Sequence, residues 1–329
     1  MPFFSALEYR ARKINSLLCI GLDPHPADLP EPTAEAALKF CLNLVEKTHD
    51  LALAYKPNAA FFEAYGAKGV EALNALIARI PPEIPVILDA KRGDIASTAQ
   101  AYARSAFEYF QAGAITLNPY LGQDSITPFL EYPEKGVFLL CKTSNPGSAD
   151  LQDVPLVTGK PVYEHLAAQA RLWNTHNNIG LVVGATHPEA LNRVRKAAPT
   201  LWILSPGVGA QGGSLTDALE AGLRPDGLGM LVNISRGISR SEDSRQAAEE
   251  IYEQINHFRL SWSVAPPLLD HHQRHELAKA LYEAGCVKFG DFTLKSGLQS
   301  PIYIDLRMLV SHPKLLFKVA SAYNLILES

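Results

Sequence analysis

Between residues 86 and 95 the chain reads Val-Ile-Leu-Asp-Ala-Lys-Arg-Gly-Asp-Ile, so an apolar, strand-forming run delivers Asp89, Lys91 and Asp94 in a D-x-K-x-x-D array. In a strand, residues two apart project to the same face, which puts the Asp89 carboxylate beside the Lys91 ammonium. Gly93 permits a sharp turn, and Asp94 falls on the loop just beyond it. Opposite charges packed at the end of a hydrophobic strand are costly to bury unless they are paired and used. The array is therefore an active-site candidate. A solvated strand end with an incidental ion pair would give the same short string, and only the rest of the chain separates the two.

The elements that would position these groups alternate regularly. Strands are expected at 17–22, 52–56, 86–90, 114–118, 136–141, 179–184, 201–205 and 228–233. Helices are expected at about 33–51, 66–79, 97–111, 125–131, 161–176, 187–197, 214–221 and 242–259, with Thr33, Ser97 or Thr98, and Ser214 as N-caps. Eight strand–helix units over residues 1–260 match a (β/α)₈ TIM barrel. A doubly wound open sheet is the alternative, but no G-x-G-x-x-G follows the first strand. The polar residues gather where such a barrel keeps its active site, just after the strands: Asp23, Lys56, the Asp/Lys/Asp array, Lys142-Thr143-Ser144, Ser205-Pro206-Gly207 and Ser235-Arg236-Gly237.

Composition narrows the class. The 329 residues are 47% hydrophobic and 19% charged with a formal net charge of −4, which gives no basic surplus for nucleic acid. Cys19, Cys41, Cys141 and Cys286 lie far apart, as free buried thiols of a reducing compartment do, rather than a disulfide framework or zinc site. The first residues lack the shape of a signal peptide and no apolar run would span a bilayer, so a cytoplasmic protein is expected.

Past residue 260 the pattern changes. Residues 261–267 (with Pro266-Pro267) read as a linker, and 268–329 as a short α+β fragment. That fragment is expected to hold a helix over 272–284, two short strands within 289–305 and a helix over 313–327. His271, His272 and His275 offer imidazoles a helical turn apart but no third ligand, so no metal is expected there.

With these residues in view, positions 1–260 resemble orotidine 5′-phosphate decarboxylase, in the branch carrying the D-A-K-R-G-D-I string. The ordered pieces are Gly21-Leu22-Asp23, Tyr55-Lys56-Pro57-Asn58, Asp89 to Ile95, Lys142-Thr143-Ser144-Asn145-Pro146, Val183 to Thr186, Leu204 to Gly207 with Gln211, and Asn233 to Gly237. D-x-K-x-x-D alone occurs also in related sugar-phosphate decarboxylases and aldolases, some dependent on Mg²⁺; the ordered set is far more specific. The resemblance implies cofactor-independent conversion of orotidine 5′-phosphate to UMP and CO₂, closing UMP synthesis. Lys91 would protonate C6, Asp89 would lie against the substrate carboxylate, and Lys56 would orient Asp89 and touch the ribose. Asp94 would complete the array from the partner of a homodimer, bringing Ile95 and Thr98 with it. Asp23 would bind a ribose hydroxyl, Ser144 the pyrimidine amide edge, and Gln211 both base and phosphate. Arg236 would grip the phosphate with backbone N–H groups near Gly207 and Gly237. Lys142 is expected to pair structurally.

Residues 268–329 resemble the N-terminal piece of orotate phosphoribosyltransferase, through Phe289 to Gly297 (with Lys295) and Ser300 to Arg307. No acidic, Thr/Gly-rich loop for a diphosphate donor follows, so no transferase activity is expected from this chain.

Overall fold

The computed structural model describes residues 1–209, 212–263, 271–293 and 299–327. It divides into two compact units, Met1–Ser261 and Trp262–Ser329.

The first unit is a (β/α)₈ barrel. Its strands are β1 (Leu18–Leu22), β2 (Ala54–Pro57), β3 (Ile87–Arg92), β4 (Ala114–Leu117), β5 (Gly136–Lys142), β6 (Ile179–Val183), β7 (Ile203–Pro206) and β8 (Met230–Ile234). They pair in parallel in the order β2-β1-β8-β7-β6-β5-β4-β3. Parallel bridges Tyr55–Val86 and Asn58–Asp89 join β2 to β3 and close the ring. Strands β1, β2, β4, β6 and β8 are buried along their whole length, as continuous Val/Ile/Leu runs require when helices cover the outside.

Every expected strand of the barrel is present within two residues of its expected ends, and the helix Gly66–Arg79 matches in full. Thr33 and Ser214 cap as expected, accepting hydrogen bonds from Ala36 N at 3.2 Å and Asp217 N at 3.3 Å. Ser97 and Thr98 do not cap. The helix there already begins at Ala96, because the Asp94 side chain takes the Ile95 N–H at 2.8 Å and ends the turn early. This helix runs to Arg104 and passes into a wider π turn over Ser105–Tyr109.

A helix over Phe3–Lys13 has no counterpart in the expected elements. It covers the amino-terminal end of the barrel, where Phe3 and Phe4 meet the Phe138 ring edge-on at 6.2 and 5.4 Å. Its buried Arg10 donates to the carbonyls of His49 and Ala52, tying the helix to the approach of β2. Arg195 does the same on the far side. Its guanidinium donates to the carbonyls of Gly222, Ala198, Pro199, Leu201 and Gly229 at 2.7–3.3 Å. Burial without a carboxylate pushes Arg195 down to about 9.

The helix Ser244–Ser263 takes up the first residues of the expected linker; 264–267 lie outside the described residues. The second unit pairs β9 (Val287–Thr293) antiparallel with β10 (Gln299–Ile304), flanked by helices His271–Glu283 and Pro313–Leu327. Cys286, Leu309 and Leu315 form its small core. Lys295 lies outside the described residues. All four cysteines are free and buried. Among the described residues no helix is long and apolar enough to cross a membrane.

Arg195→Met should leave several carbonyls without donors, and such orphaned groups cost about 1–3 kcal/mol each before relaxation. A loss of roughly 2–4 kcal/mol in urea unfolding at neutral pH is expected, with the barrel's circular dichroism unchanged.

Candidate active site

The carboxyl ends of the strands surround a cavity of about 630 Å³, within the range of small-molecule sites. Asp89 is its electrostatic centre. Lys56, at the end of β2, reaches Asp89 Oδ2 at 2.7 Å, and Lys91 reaches Asp89 Oδ1 at 2.6 Å. Thr116 of β4 donates its hydroxyl to the same Oδ1 at 2.9 Å. That hydroxyl oxygen also accepts the backbone N–H groups of Ala90 and Lys91 at 3.1 and 3.0 Å. One threonine thus fixes both the carboxylate and the backbone that presents Lys91.

The backbone at Lys91 is not regular strand. Its φ is +48°, and the β3–β4 register breaks between Leu88 and Arg92. The sharp change of direction was expected at Gly93, but the left-handed residues are Lys91 and Ala96. Gly93 serves a different need: a Cβ there would stand 2.8 Å from the Asn118 carbonyl oxygen. Glycine lets the end of β3 pass this close to the end of β4.

Burial raises the cost of charge on Asp89, yet Lys56 and Lys91 outweigh it and hold the carboxyl well below its ordinary value of 3.8. Burial likewise acts to lower Lys56, but the carboxylates of Asp89 and Asp23 reverse the effect and raise it above its ordinary 10.5. Both groups are therefore ionised across the neutral range.

Asp23, Lys56, Asp89, Lys91, Ser144, Gly207 and Arg236 all line this cavity. Asp23 Oδ1 is buried with no hydrogen-bond partner, an acceptor left unsatisfied at the cavity wall. Gly207 has φ +99°, a conformation that favours glycine, and it brings backbone to the cavity edge after β7. Arg236 follows β8, is half-buried, and makes no ion pair among the described residues. A guanidinium held at a cavity wall without a carboxylate is a ready anion site.

Other expected residues are elsewhere. Asp94 does not join Lys91 within one chain; its Oδ1 accepts from Ile95 N, and Ile95 is 53% exposed. Thr98 is exposed on the same surface, and Gly237 is the second residue of a short helix, Arg236–Ser239, and does not line the cavity. Gln211 lies outside the described residues. Lys142 follows the expectation of a structural pair and turns away from the cavity, to Asp153 at 2.8 Å. Ser205 is fully buried and does not line it.

Several lining residues were not singled out from the sequence. Thr116 is a polar residue inside an apolar strand, an interruption that was readable. His25, stacked on Phe61 at 4.3 Å, and Gln152, eight residues beyond Ser144, carry no such signal.

A closed parallel barrel with a lysine–carboxylate–lysine chain at its carboxyl rim defines a (β/α)₈ barrel protein with its candidate site at the usual end. The chain belongs to the orotidine 5′-phosphate decarboxylase / HUMPS family, whose model matches residues 16–251. An orotidine 5′-phosphate decarboxylase from Roseiflexus castenholzii is 50% identical over 267 residues, covering 78% of this chain and 98% of the relative. A bifunctional PyrF/PyrE enzyme from Nostoc is 37% identical over 344 aligned positions, covering 100% of this chain and 72% of its own length. The solved structure of Leishmania donovani UMP synthase matches with a TM-score of 0.76 and 54% identity, over 99% of this chain and 70% of that one.

The Lys56–Asp89 pair carries a defined pH dependence. The depressed carboxyl contributes stability that is present above about pH 4 and lost as pH falls; the raised ammonium contributes stability present below about pH 10 and lost as pH rises. Lys56→Met should cost roughly 3–5 kcal/mol at pH 7, the scale for breaking a buried pair. Its acid limb should also move to higher pH, since Asp89 then keeps Lys91 alone. Urea unfolding between pH 3 and pH 9 checks both.

Proposed function

We propose that this chain decarboxylates orotidine 5′-phosphate to UMP and CO₂, using protein groups without metal or organic cofactor. The observation that carries the reading is Asp89 clamped between a buried lysine and one that faces the cavity. Family membership and the name shared by the most similar relatives support the same substrate.

In this reading the phosphate binds Arg236 and the backbone near Gly207, while the ribose lies between Asp23 and Lys56. Ser144 and Gln211 recognise the base, and the carboxylate to be lost faces Asp89. When the C6–CO₂ bond breaks, the electron pair stays on C6 and CO₂ departs. The Lys91 ammonium stabilises that pair and then transfers its proton to C6; water returns a proton to the lysine. Barriers of this kind demand a large share of the roughly 8–23 kcal/mol that enzymes commonly supply. Charges held in place before the reaction contribute most efficiently, because they need little reorganisation as it proceeds. Phosphate binding, remote from C6, can be used to hold the transition state.

The side chain of Lys91 is 49% exposed in a single chain, and Asp94 turns away from it. Both features fit a homodimer in which Asp94 of a second copy covers Lys91, with Ile95 and Thr98 alongside. In this reading the decarboxylation is carried by the first unit, and the second unit performs no transferase step.

Direct ultraviolet measurement of orotidine 5′-phosphate loss in EDTA should show full turnover. Lys91→Ala should retain the fold and lose at least about 10³-fold in kcat, in keeping with removal of a general acid and a charge stabiliser. Residual activity of several per cent would count against its role. Mixing equal amounts of inactive Asp94→Asn and Lys91→Ala proteins should restore about a quarter of wild-type activity, since half the dimers are mixed and each has one sound site. A mixture that recovers nothing excludes the shared site.

A further inference from the structure

We propose that Lys142 is a positioning residue whose buried ammonium latches the 143–153 loop from behind and so sets the side chains this loop presents to the pyrimidine. The inference rests on the decarboxylase reading above.

Strand alternation would send Lys142 into the cavity. Leu140 lines the cavity, and a residue two further along a regular strand shares its face. The β5–β6 register, however, steps from Leu140–Val182 to Lys142–Val183, so two residues of β5 stand against one of β6. This is a bulge, and it re-aims the side chain that follows. Cys141 Sγ lies 3.1 Å from the Tyr163 carbonyl oxygen, and the Lys142 ammonium lies 6.0 Å from the Tyr163 ring centre. Two consecutive side chains therefore point to the helix side of the barrel. The bulge keeps a third lysine out of the Lys56–Asp89–Lys91 array.

What Lys142 holds instead is the loop that begins one residue later. Its side chain is 3% exposed, and Nζ donates to Ser148 Oγ at 3.0 Å and forms an ion pair with Asp153 Oδ1 at 2.8 Å. Ser148 sits in the middle of the loop, on a short 3₁₀ turn over Pro146–Asp150, and Asp153 sits at its far end. On the opposite surface of the same loop, Thr143, Ser144, Asn145 and Gln152 face the cavity. Gln152 closes the loop on itself: Oε1 accepts from Thr143 N at 2.8 Å, and Nε2 donates to Thr143 Oγ1 at 2.9 Å. One buried cation thus fixes two points, Ser148 and Asp153, along a segment whose other surface faces the cavity. Asp153 is 45% exposed, so without Lys142 it can turn to water and release the loop's end.

A latch of this kind acts on substrate recognition more than on proton transfer. Lys142→Met should raise KM for orotidine 5′-phosphate by about 10- to 100-fold while kcat stays within about threefold. Inhibition by ribose 5-phosphate, which lacks the base, should stay within about twofold of wild type. Hydrogen exchange of the 143–153 amides should quicken by at least about tenfold, with β4 and β6 unchanged. Asp153→Asn, at a half-exposed position, should move KM and exchange in the same direction by about three- to tenfold, and it decides alone if Lys142→Met does not fold. Wild-type KM or wild-type loop exchange in the folded variants would overturn the latch. A wild-type chain that fails to consume orotidine 5′-phosphate would instead overturn the decarboxylase reading, and the exchange comparison separates the two failures.

Discussion

The structure of the site depends on one carboxylate held between two ammonium groups. Asp89 accepts from Lys56 on one oxygen and from Lys91 and Thr116 on the other. Remove any of these and a buried charge is left undercompensated, which is why such arrangements are costly in isolation. Their chemical value lies in fixing charge before a substrate arrives. The three partners come from the ends of β2, β3 and β4, so the barrel's closure between β2 and β3 is also what brings Lys56 to Asp89. Fold and electrostatics are the same constraint at this point.

Around that core the barrel divides labour by strand. The ends of β2, β3 and β4 carry the charge array, the loop after β5 offers amide and hydroxyl groups, and the ends of β7 and β8 offer a glycine turn and an uncommitted guanidinium. A ligand with a carboxylate at one end, an amide edge at its side and a phosphate at the other would meet a matching partner at each place. The amino-terminal end shows the opposite character. There aromatic rings, together with the arginines Arg10 and Arg195 bound to backbone carbonyls, seal the barrel.

Much of this was legible in the sequence because the signals were strong and local. Parallel strands buried on both faces read as continuous apolar runs, and all eight were found near their observed ends. Thr33 and Ser214 announced their helices by side-chain chemistry. What escaped was set by tertiary contact. The helix Phe3–Lys13 buries Phe3, Leu7, Arg10 and Ala11 at helical spacing, but one of these is a charged arginine, so the face does not read as apolar in the sequence. The failed caps at Ser97 and Thr98 follow from Asp94 using a local N–H first. Two-residue alternation also misdirects at Lys142, because a bulge cannot be read from composition. Gln152 and His25 reach the cavity only through the path of their loops, and spacing in the chain says nothing of that path.

Lys91 occupies a left-handed backbone conformation that costs residues with a side chain roughly 1–2 kcal/mol, and Ala96 shares it five positions later. At position 91 a glycine would relieve the strain and delete the ammonium together. The backbone would relax, while Asp89 would keep only one of its two ammonium partners. Relief of backbone strain and preservation of the charge array therefore pull in opposite directions at a single residue. Schemes that stabilise the barrel by relaxing unfavourable dihedrals would, unless told otherwise, begin by erasing the proposed proton donor.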